Sequence, residues 1–384
     1  MEPMLPEETT AALEDLCLEL VEKASRLASQ LHLTVQRSVM DLVRAMNCYY
    51  SNLIEGHDTH PRDIERALVK NFSSKPKQRD LQLEAKAHIE VQKLIDASEI
   101  GIDLVSEKYI CWIHQEFCQR LPEGMLRVQD PDTNQYTKVV PGSLRDGTVV
   151  VGRHIPPRPE NLEKFLSRFE EAYRPDHLSK LRRVLAVAAS HHRLLWIHPF
   201  FDGNGRVTRL LSHAYFKFLN LGAGLWSVSR GLARNVGEYK LKLEAADESR
   251  QGDLDGRGSL SAKGLVDFCE FFLKTCIDQV EYMSSLLEPG DLSRRMQLYC
   301  EEEERAERLP KRSFTLLREA LLAGEFERGK AAAISGYSER QARRVLAEVE
   351  KKGLLVSDTP KSPVRLAFPV AVVERWFPRL YPHG

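Results

Sequence analysis

The sequence predicts a mainly α protein: a helical core carrying one β-hairpin, followed by a small C-terminal winged helix-turn-helix domain. Three observations lead there. Apolar residues recur at helical spacing through most of the 384 residues. The period changes to β-branched runs at residues 137–152. From residue 311 a basic segment reads as helix, short turn, helix and two short strands.

Length allows two or three domains. Lys plus Arg and Asp plus Glu are both 55, so global charge says nothing about partners. The seven cysteines are scattered through apolar stretches without a Cys-x-x-Cys pair. That pattern indicates neither a disulfide framework nor a zinc site, and it fits reduced, buried thiols. Residues 1–10 are acidic and lack the basic start and apolar centre of a signal peptide. No run approaches a membrane span. The expected location is the cytoplasm, with no membrane partner.

In order along the chain, residues 11–30 and 36–54 show helical spacing, the second through Val39, Leu42, Val43, Met46 and Tyr50. Gly56 is a natural stop for it. Residues 62–70, 79–98 and 106–120 read as further helices, and 121–136 as loop. The runs Tyr136–Val140 and Thr148–Val151 flank Pro141-Gly142 and Asp146-Gly147, which predicts that they pair as a hairpin. A lone hairpin in a helical protein is marginal by itself, so a flap over a site is the natural reading. Helices follow at 160–172, 178–197, 206–219 and 264–287. His191 and His192 lie on the strongly apolar helix 178–197, but as helix neighbours they point apart, which argues for packing or a polar cap rather than a metal site.

The chemistry concentrates in His198-Pro-Phe-Phe-Asp-Gly-Asn-Gly-Arg-Val-Thr-Arg209. His198 can take a proton near neutral pH. Asp202 is a hard oxygen ligand suited to Mg²⁺. Gly203-Asn204-Gly205 allows a tight turn that aims N–H groups at an anion, and the helix beginning there adds its positive end. Arg206 and Arg209 share a helix face and suit phosphate oxygens. Together they read as a site for a nucleotide polyphosphate.

This stretch resembles, at every fixed position, the signature of the Fic family, His-Pro-Phe-x-(Asp/Glu)-Gly-Asn-Gly-Arg-x-x-Arg. The resemblance extends over about residues 36–285 and implies transfer of AMP from ATP to a Ser, Thr or Tyr hydroxyl of a protein target, the chain itself included. In that reading His198 is the base. The implied ATP-binding set is Phe201, Asp202, Gly203, Asn204, Gly205, Arg206 and Arg209, with Asn235 and Tyr239 farther on. Gly203, Asn204 and Gly205 hold the α-phosphate, the Asn204 side chain included. Asp202 holds Mg²⁺, Arg206 and Arg209 clamp the outer phosphates, and Tyr239 packs on the adenine or the flap. Phe200 points into the core.

Two further stretches resemble parts of the same family. Ser51-Asn-Leu-Ile-Glu55-Gly56 fits the inhibitory pattern Ser/Thr-x-x-x-Glu-Gly/Asn. A carboxylate at a helix C-terminus is unfavourable against the dipole, so Glu55 needs a cationic partner, which the resemblance makes Arg209. The 137–152 hairpin resembles the family's flap, and its docking residues would be Gly142, Arg145, Val149, Val150 and Val151.

The implied organisation is an N-terminal helical region over 1–100, a catalytic core over 101–290, a helical linker over 291–310 and a winged-helix domain over 311–384. The last carries 14 Lys/Arg against 8 Asp/Glu, a net of +6, with Arg340, Arg343 and Arg344 on its recognition-helix position. DNA is one partner this admits; a homodimer or other protein contact is another. Gly324-x-x-x-x-Gly329-Lys330-Ala331 imitates a P-loop but has Ala where Ser or Thr must hold Mg²⁺. Three alternatives to AMP transfer stay open: a DNA-binding regulator sensing nucleotide through this core, removal of AMP by a water that Glu55 activates, and transfer from another nucleotide donor.

Overall fold

Helices form where the apolar periodicity places them. The computed structural model describes residues 1–7, 10–129 and 136–381. Its helices are α1 (Ala11–Ser29), α2 (Leu33–Ile54), α3 (Pro61–Leu68), α4 (Pro76–Ala97), α5 (Glu107–Cys118), α6 (Leu162–Tyr173), α7 (Lys180–Ile197) and α8 (Asn204–Phe218). They continue with α9 (Val228–Arg234), α10 (Val236–Asp247), α11 (Ala262–Leu286), α12 (Pro289–Arg305), α13 (Ser313–Ala323), α14 (Ala331–Ser335), α15 (Glu339–Lys351) and α16 (Val370–Trp376). The strands are β1 (Arg127–Gln129), β2 (Tyr136–Lys138), β3 (Glu325–Phe326), β4 (Leu355–Val356) and β5 (Val364–Leu366). Helices α9, α10 and α16 lie where the sequence gave no clear period. Among the described residues no helix is long and apolar enough to cross a membrane.

The chain divides into two units. The first comprises residues 1–23, 47–223 and 227–279; the second comprises 24–46, 224–226 and 280–384.

In the first unit α7 is the central helix. Val184 to Leu194 are all buried, and α7 packs on α6 and on α8. Helices α4 and α5 pack on α8 as well. Phe169, Tyr173, Phe200, Phe216, Phe268 and Phe272 fill the interior. This arrangement fastens both ends of the α7–α8 connection, where the candidate chemistry sits.

The expected hairpin is corrected in its pairing. Strand β2 pairs antiparallel with β1, in the register Arg127↔Lys138 and Gln129↔Tyr136, and not with residues 148–151. The loop expected over 121–136 therefore contains β1, and its residues 130–135 lie outside the described ones. Val151 makes a single bridge, to His154. The cause is Arg145. Its backbone N–H donates to the Pro199 carbonyl (2.9 Å) and its side chain to the carbonyls of His198 (2.8 Å), Gly147 (2.8 Å) and Pro157. So anchored, residues 141–148 cannot turn the two β-branched runs onto one another.

In the second unit three strands form an antiparallel sheet of order β3-β5-β4, with Glu325↔Arg365 and Leu355↔Leu366 as partners. Strand β3 was invisible in the sequence because two residues show no period. Helix α13 packs on α12, α14, α15 and β5. Helix α12 buries Leu292, Met296 and Cys300, and its acidic run includes Glu303, which pairs with Arg308 (2.6 Å). Ser38 donates to the Leu366 carbonyl (2.5 Å), so the first half of α2 is fastened to β5.

Phe272 is fully buried and lies against Phe268 and the His191 ring. Truncation there leaves a cavity that the neighbouring rings cannot close. Phe272→Ala is expected to lose about 3–5 kcal/mol of stability. Urea unfolding checks this; an unchanged midpoint at an unchanged slope would refute the packing described.

Candidate active site

The site begins with a backbone reversal. Helix α7 ends at His198, which takes the left-handed conformation (φ 49°, ψ 62°). Gly203 is left-handed as well (φ 81°) and precedes α8. A histidine in that region is uncommon and is held there by its surroundings. Its N–H still donates to the Leu194 carbonyl (3.0 Å) and its carbonyl accepts from Arg145. Asn204 closes the turn: its Oδ1 accepts from the Phe200 N–H (3.0 Å) and its Nδ2 donates to the Phe200 carbonyl (2.8 Å). The Asn204 side chain, expected on a phosphate, is buried and makes these two bonds across the turn.

The turn leaves the first N–H groups of α8 without partners inside the helix. Asp202 is exposed, and its Oδ1 accepts from the Gly203 N–H (2.6 Å). Phe201 is half-buried, and a Cβ on Gly147 would lie 3.2 Å from its ring. Phe200 is buried and stacks on His114 at 3.9 Å. The ring of His114 also accepts from the Gly142 N–H (2.9 Å), so one buried histidine touches both the 141–148 loop and the turn. Burial lowers the His198 pKa to about 4, with Arg145 adding to the effect, so its imidazole is neutral at physiological pH.

Both arginines of the signature are buried and both face a carboxylate. Arg209 Nη2 pairs with Glu55 Oε1, its Nε donates to Ser51 Oγ (2.8 Å), and Nη2 donates to the Ser51 carbonyl (3.2 Å). Burial pushes the Glu55 carboxyl up, but Arg209 outweighs it, with Arg206 and His57, and the net shift is downward. A Cβ at Gly205 would collide with Glu55 Oε1, so the glycine makes room for the carboxylate over the first turn of α8. Gly56 follows in a positive-φ conformation (80°).

Arg206 pairs with Glu84 on α4, a residue that the motif gave no reason to single out. Glu84 Oε2 also accepts from His57 Nδ1 (2.7 Å). A weak signal existed: Glu84, His88 and Gln92 follow one another at four-residue spacing on an otherwise apolar helix face, and all three are buried. The Nε of Arg206 is buried without a hydrogen-bond partner, so its guanidinium has a donor to spare.

Tyr239 and Asn235 stand apart from the open part of the site. Tyr239 is buried, with its hydroxyl 2.8 Å from His191 Nε2. Its ring lies edge-on to His191 in the core, where the expectation was packing on the adenine or the flap. Asn235 donates to the Gly231 carbonyl (3.2 Å) and lines a separate, charged groove of about 310 Å³ with Glu238, Lys242 and Asp267. His191 and His192 do diverge: His192 reaches the Leu243 carbonyl (3.1 Å). Of the expected docking residues, Arg145 is buried as a staple, Gly142 is held by His114, and Val150 and Val151 are exposed while Val149 is half-buried.

Among the described residues no three His, Cys, Asp or Glu side chains converge as a ready-made metal site. A lone exposed carboxylate beside unpartnered helix amides nevertheless suits Mg²⁺, which commonly takes one carboxylate and completes its shell with phosphate oxygens and water.

Comparison with known proteins agrees with this geometry. Residues 104–216 match the model of the Fic/DOC family. The chain is 32% identical over 133 residues to the protein adenylyltransferase Fic of Drosophila erecta, covering 34% of this chain and 26% of that protein. The Drosophila melanogaster protein of the same name matches equally, at 32% over 133 residues, 34% of this chain and 26% of that one. The chain thus spans about a quarter of the length of the curated relatives it matches. Among solved structures, a Fic family protein from Desulfovibrio desulfuricans G20 superposes with a TM-score of 0.54 at 18% identity, over 94% of this chain and 98% of that one. Fic-1 from C. elegans superposes at 0.52 and 17%, over 71% and 72%. The similarity to the Fic/DOC family is thus shown for residues 104–216, which include the turn and the start of α8.

The hydrogen bond to Glu84 raises the His57 pKa above its ordinary 6.5. A raised folded-state pKa stabilises the protein fully below the unfolded value, and the gain is lost as pH rises through the folded value. Wild type is therefore expected to exceed His57→Gln in stability at pH 5.5, with the gap closing as pH rises beyond 6.5. Thermal melts of both proteins from pH 5.5 to 9 check this; a gap that widens with pH would contradict it.

Proposed function

We propose that the chain is an autoinhibited protein adenylyltransferase that moves AMP from ATP to a Ser, Thr or Tyr hydroxyl of a protein. The observation that carries this reading is the convergence of a neutral His198, the exposed Asp202 and the open amides of α8 beside Arg209, whose guanidinium is occupied by Glu55. The relatives named protein adenylyltransferase Fic support the reaction class.

The chemistry follows from the groups. A protein hydroxyl is a weak nucleophile at neutral pH. His198 takes its proton as the oxygen attacks the α-phosphorus, and pyrophosphate departs. The amides at the start of α8 and the helix dipole stabilise the charge that develops on the α-phosphate. Arg206 offers its unpartnered Nε, and Arg209 offers its guanidinium once Glu55 withdraws. Asp202 would hold Mg²⁺, which supplies charge neutralisation on the phosphates. Glu55 denies the outer phosphate its partner, so a nucleotide bound beside it is misplaced for attack; a misplacement of about 1 Å costs about a hundredfold in rate.

Incubation with Mg²⁺ and α-labelled ATP tests this. Glu55→Gly is expected to label itself or an added target about a hundredfold faster than wild type. Adding His198→Ala should abolish the label. Equal labelling by wild type and Glu55→Gly would remove Glu55 from the reading, and label surviving His198→Ala would remove His198. The pH profile gives a second check. Since the His198 pKa lies near 4, kcat/KM of Glu55→Gly should stay level from pH 7.5 down to 6. A fall centred near 6.5 would instead show an ordinary imidazole.

A second reading concerns residues 311–384 alone. Arg340, Arg343 and Arg344 are exposed on α15, the second helix of a helix–turn–helix flanked by β4 and β5. We read this as a winged helix that contacts DNA through α15. Gel shifts comparing wild type with Arg340→Ala/Arg344→Ala test it, with loss of a salt-sensitive shift as the supporting outcome.

A further inference from the structure

We infer that His114 on α5 is a positioning residue that fixes the direction of the 141–151 segment relative to His198, and so aims an acceptor hydroxyl at the base. The inference rests on the proposed transfer to a protein that docks on that segment.

His114 is buried, and every part of its ring is engaged. Nδ1 accepts the Gly142 N–H at 2.9 Å. The ring stacks on Phe200, with centroids 3.9 Å apart and planes 4° from parallel. Nε2 lies 3.2 Å from Cys118 Sγ, one turn farther along α5. The ring edge also faces Gly203, where a Cβ would stand 3.6 Å from Cδ2. Loop, turn and helix α5 thus meet at one side chain.

The tautomer follows from these contacts. A backbone N–H can only donate, so Nδ1 is bare. The proton of the neutral ring is then on Nε2, directed at the Cys118 sulfur, which is a free thiol and a weak acceptor. Cys118 therefore favours the one tautomer whose Nδ1 can hold the loop.

His114 supplies what Arg145 alone cannot. The Arg145 N–H donates to the Pro199 carbonyl and its Nε to the His198 carbonyl, which fastens residue 145 to the turn. One anchor fixes a point and leaves rotation about it. His114 fastens residue 142 to the same turn through Phe200, and two anchors fix direction as well. Gly142 is fitted to this contact. Its φ is 78°, and a Cβ there would stand 3.0 Å from Gln115 Cβ and 3.4 Å from the Cys111 carbonyl, so glycine lets the loop lie this close to α5. The exposed Val150 and Val151 lead out of this doubly held loop. An acceptor seated on them inherits its direction, and a displacement of about 1 Å at the base costs about a hundredfold in rate. Being buried, His114 acts on the acceptor only through the loop and the turn.

Two measurements on the full chain, in a Glu55→Gly background, test this. His114→Phe keeps a ring for Phe200 and removes the acceptor for Gly142. Hydrogen exchange read by mass spectrometry should quicken about tenfold in peptides covering 141–148, the worth of one hydrogen bond, and stay unchanged in α7 and α8. Unchanged exchange over 141–148 overturns the inference. Faster exchange throughout α7 and α8 overturns it as well, since that marks a merely structural histidine. The second measurement is labelling of a tagged His198→Ala copy of the chain with Mg²⁺ and α-labelled ATP. In His114→Phe kcat should fall about tenfold or more while the KM for ATP holds. An unchanged kcat, or a raised KM for ATP at unchanged kcat, overturns the positioning role. Gly142→Ala acts on the loop side of the same contact. It should move exchange and kcat in the same sense, and it carries the test if His114→Phe does not fold. Absence of label from the Glu55→Gly parent overturns the transferase reading itself, and the exchange result still decides whether His114 holds the loop.

Discussion

The reversal between α7 and α8 is the constraint on which the site depends. Two left-handed residues, His198 and Gly203, bracket four residues of chain, and the Asn204 amide locks the turn by bonding both backbone groups of Phe200. Such conformations cost energy for a histidine and persist only where the surroundings over-determine them. Here the surroundings are Arg145, which grips the His198 and Pro199 carbonyls, and Phe200, stacked on His114. A base, a carboxylate and a helix N-terminus are brought together by backbone geometry first and by side-chain chemistry second.

The second organising feature is charge. Arg206 and Arg209 are both buried, and a buried guanidinium without a partner is costly. The fold answers with Glu84 for one and Glu55 for the other. The two carboxylates are not equivalent. Glu84 is almost wholly buried on α4, and Glu55 is one-third exposed at the end of α2. Glu55 sits at a helix end before a glycine in a positive-φ conformation, and Glu84 sits in the middle of a packed helix. One arginine of the signature therefore has a partly exposed carboxylate as its partner and the other a buried one.

The 141–151 segment shows how a local preference yields to a tertiary anchor. Its β-branched residues have strand propensity, yet Arg145 binds four backbone carbonyls around the site and the segment runs as irregular chain. The ladder forms instead between β1 and β2. His114 completes the connection by touching both Gly142 and the turn through Phe200, so the position of this loop and the shape of the turn are set by the same buried ring.

What the sequence by itself determined is local in range. Helical periodicity placed most helices, because side chains three and four apart share a face whatever lies beyond it. The motif placed His198, Asp202 and the glycine turn within one reversal, and the unfavourable dipole at Glu55 required a cation that proved to be Arg209. Tertiary structure decided the rest. It turned Asn204 inward, put the Tyr239 hydroxyl on His191, assigned Glu84 to Arg206 and chose β1 over residues 148–151 as the partner of β2. The physical reason is common to all four. Each is a choice among partners distant in sequence or competing for one donor, and it is settled by which side chain packing brings within hydrogen-bond reach, which no spacing along the chain records.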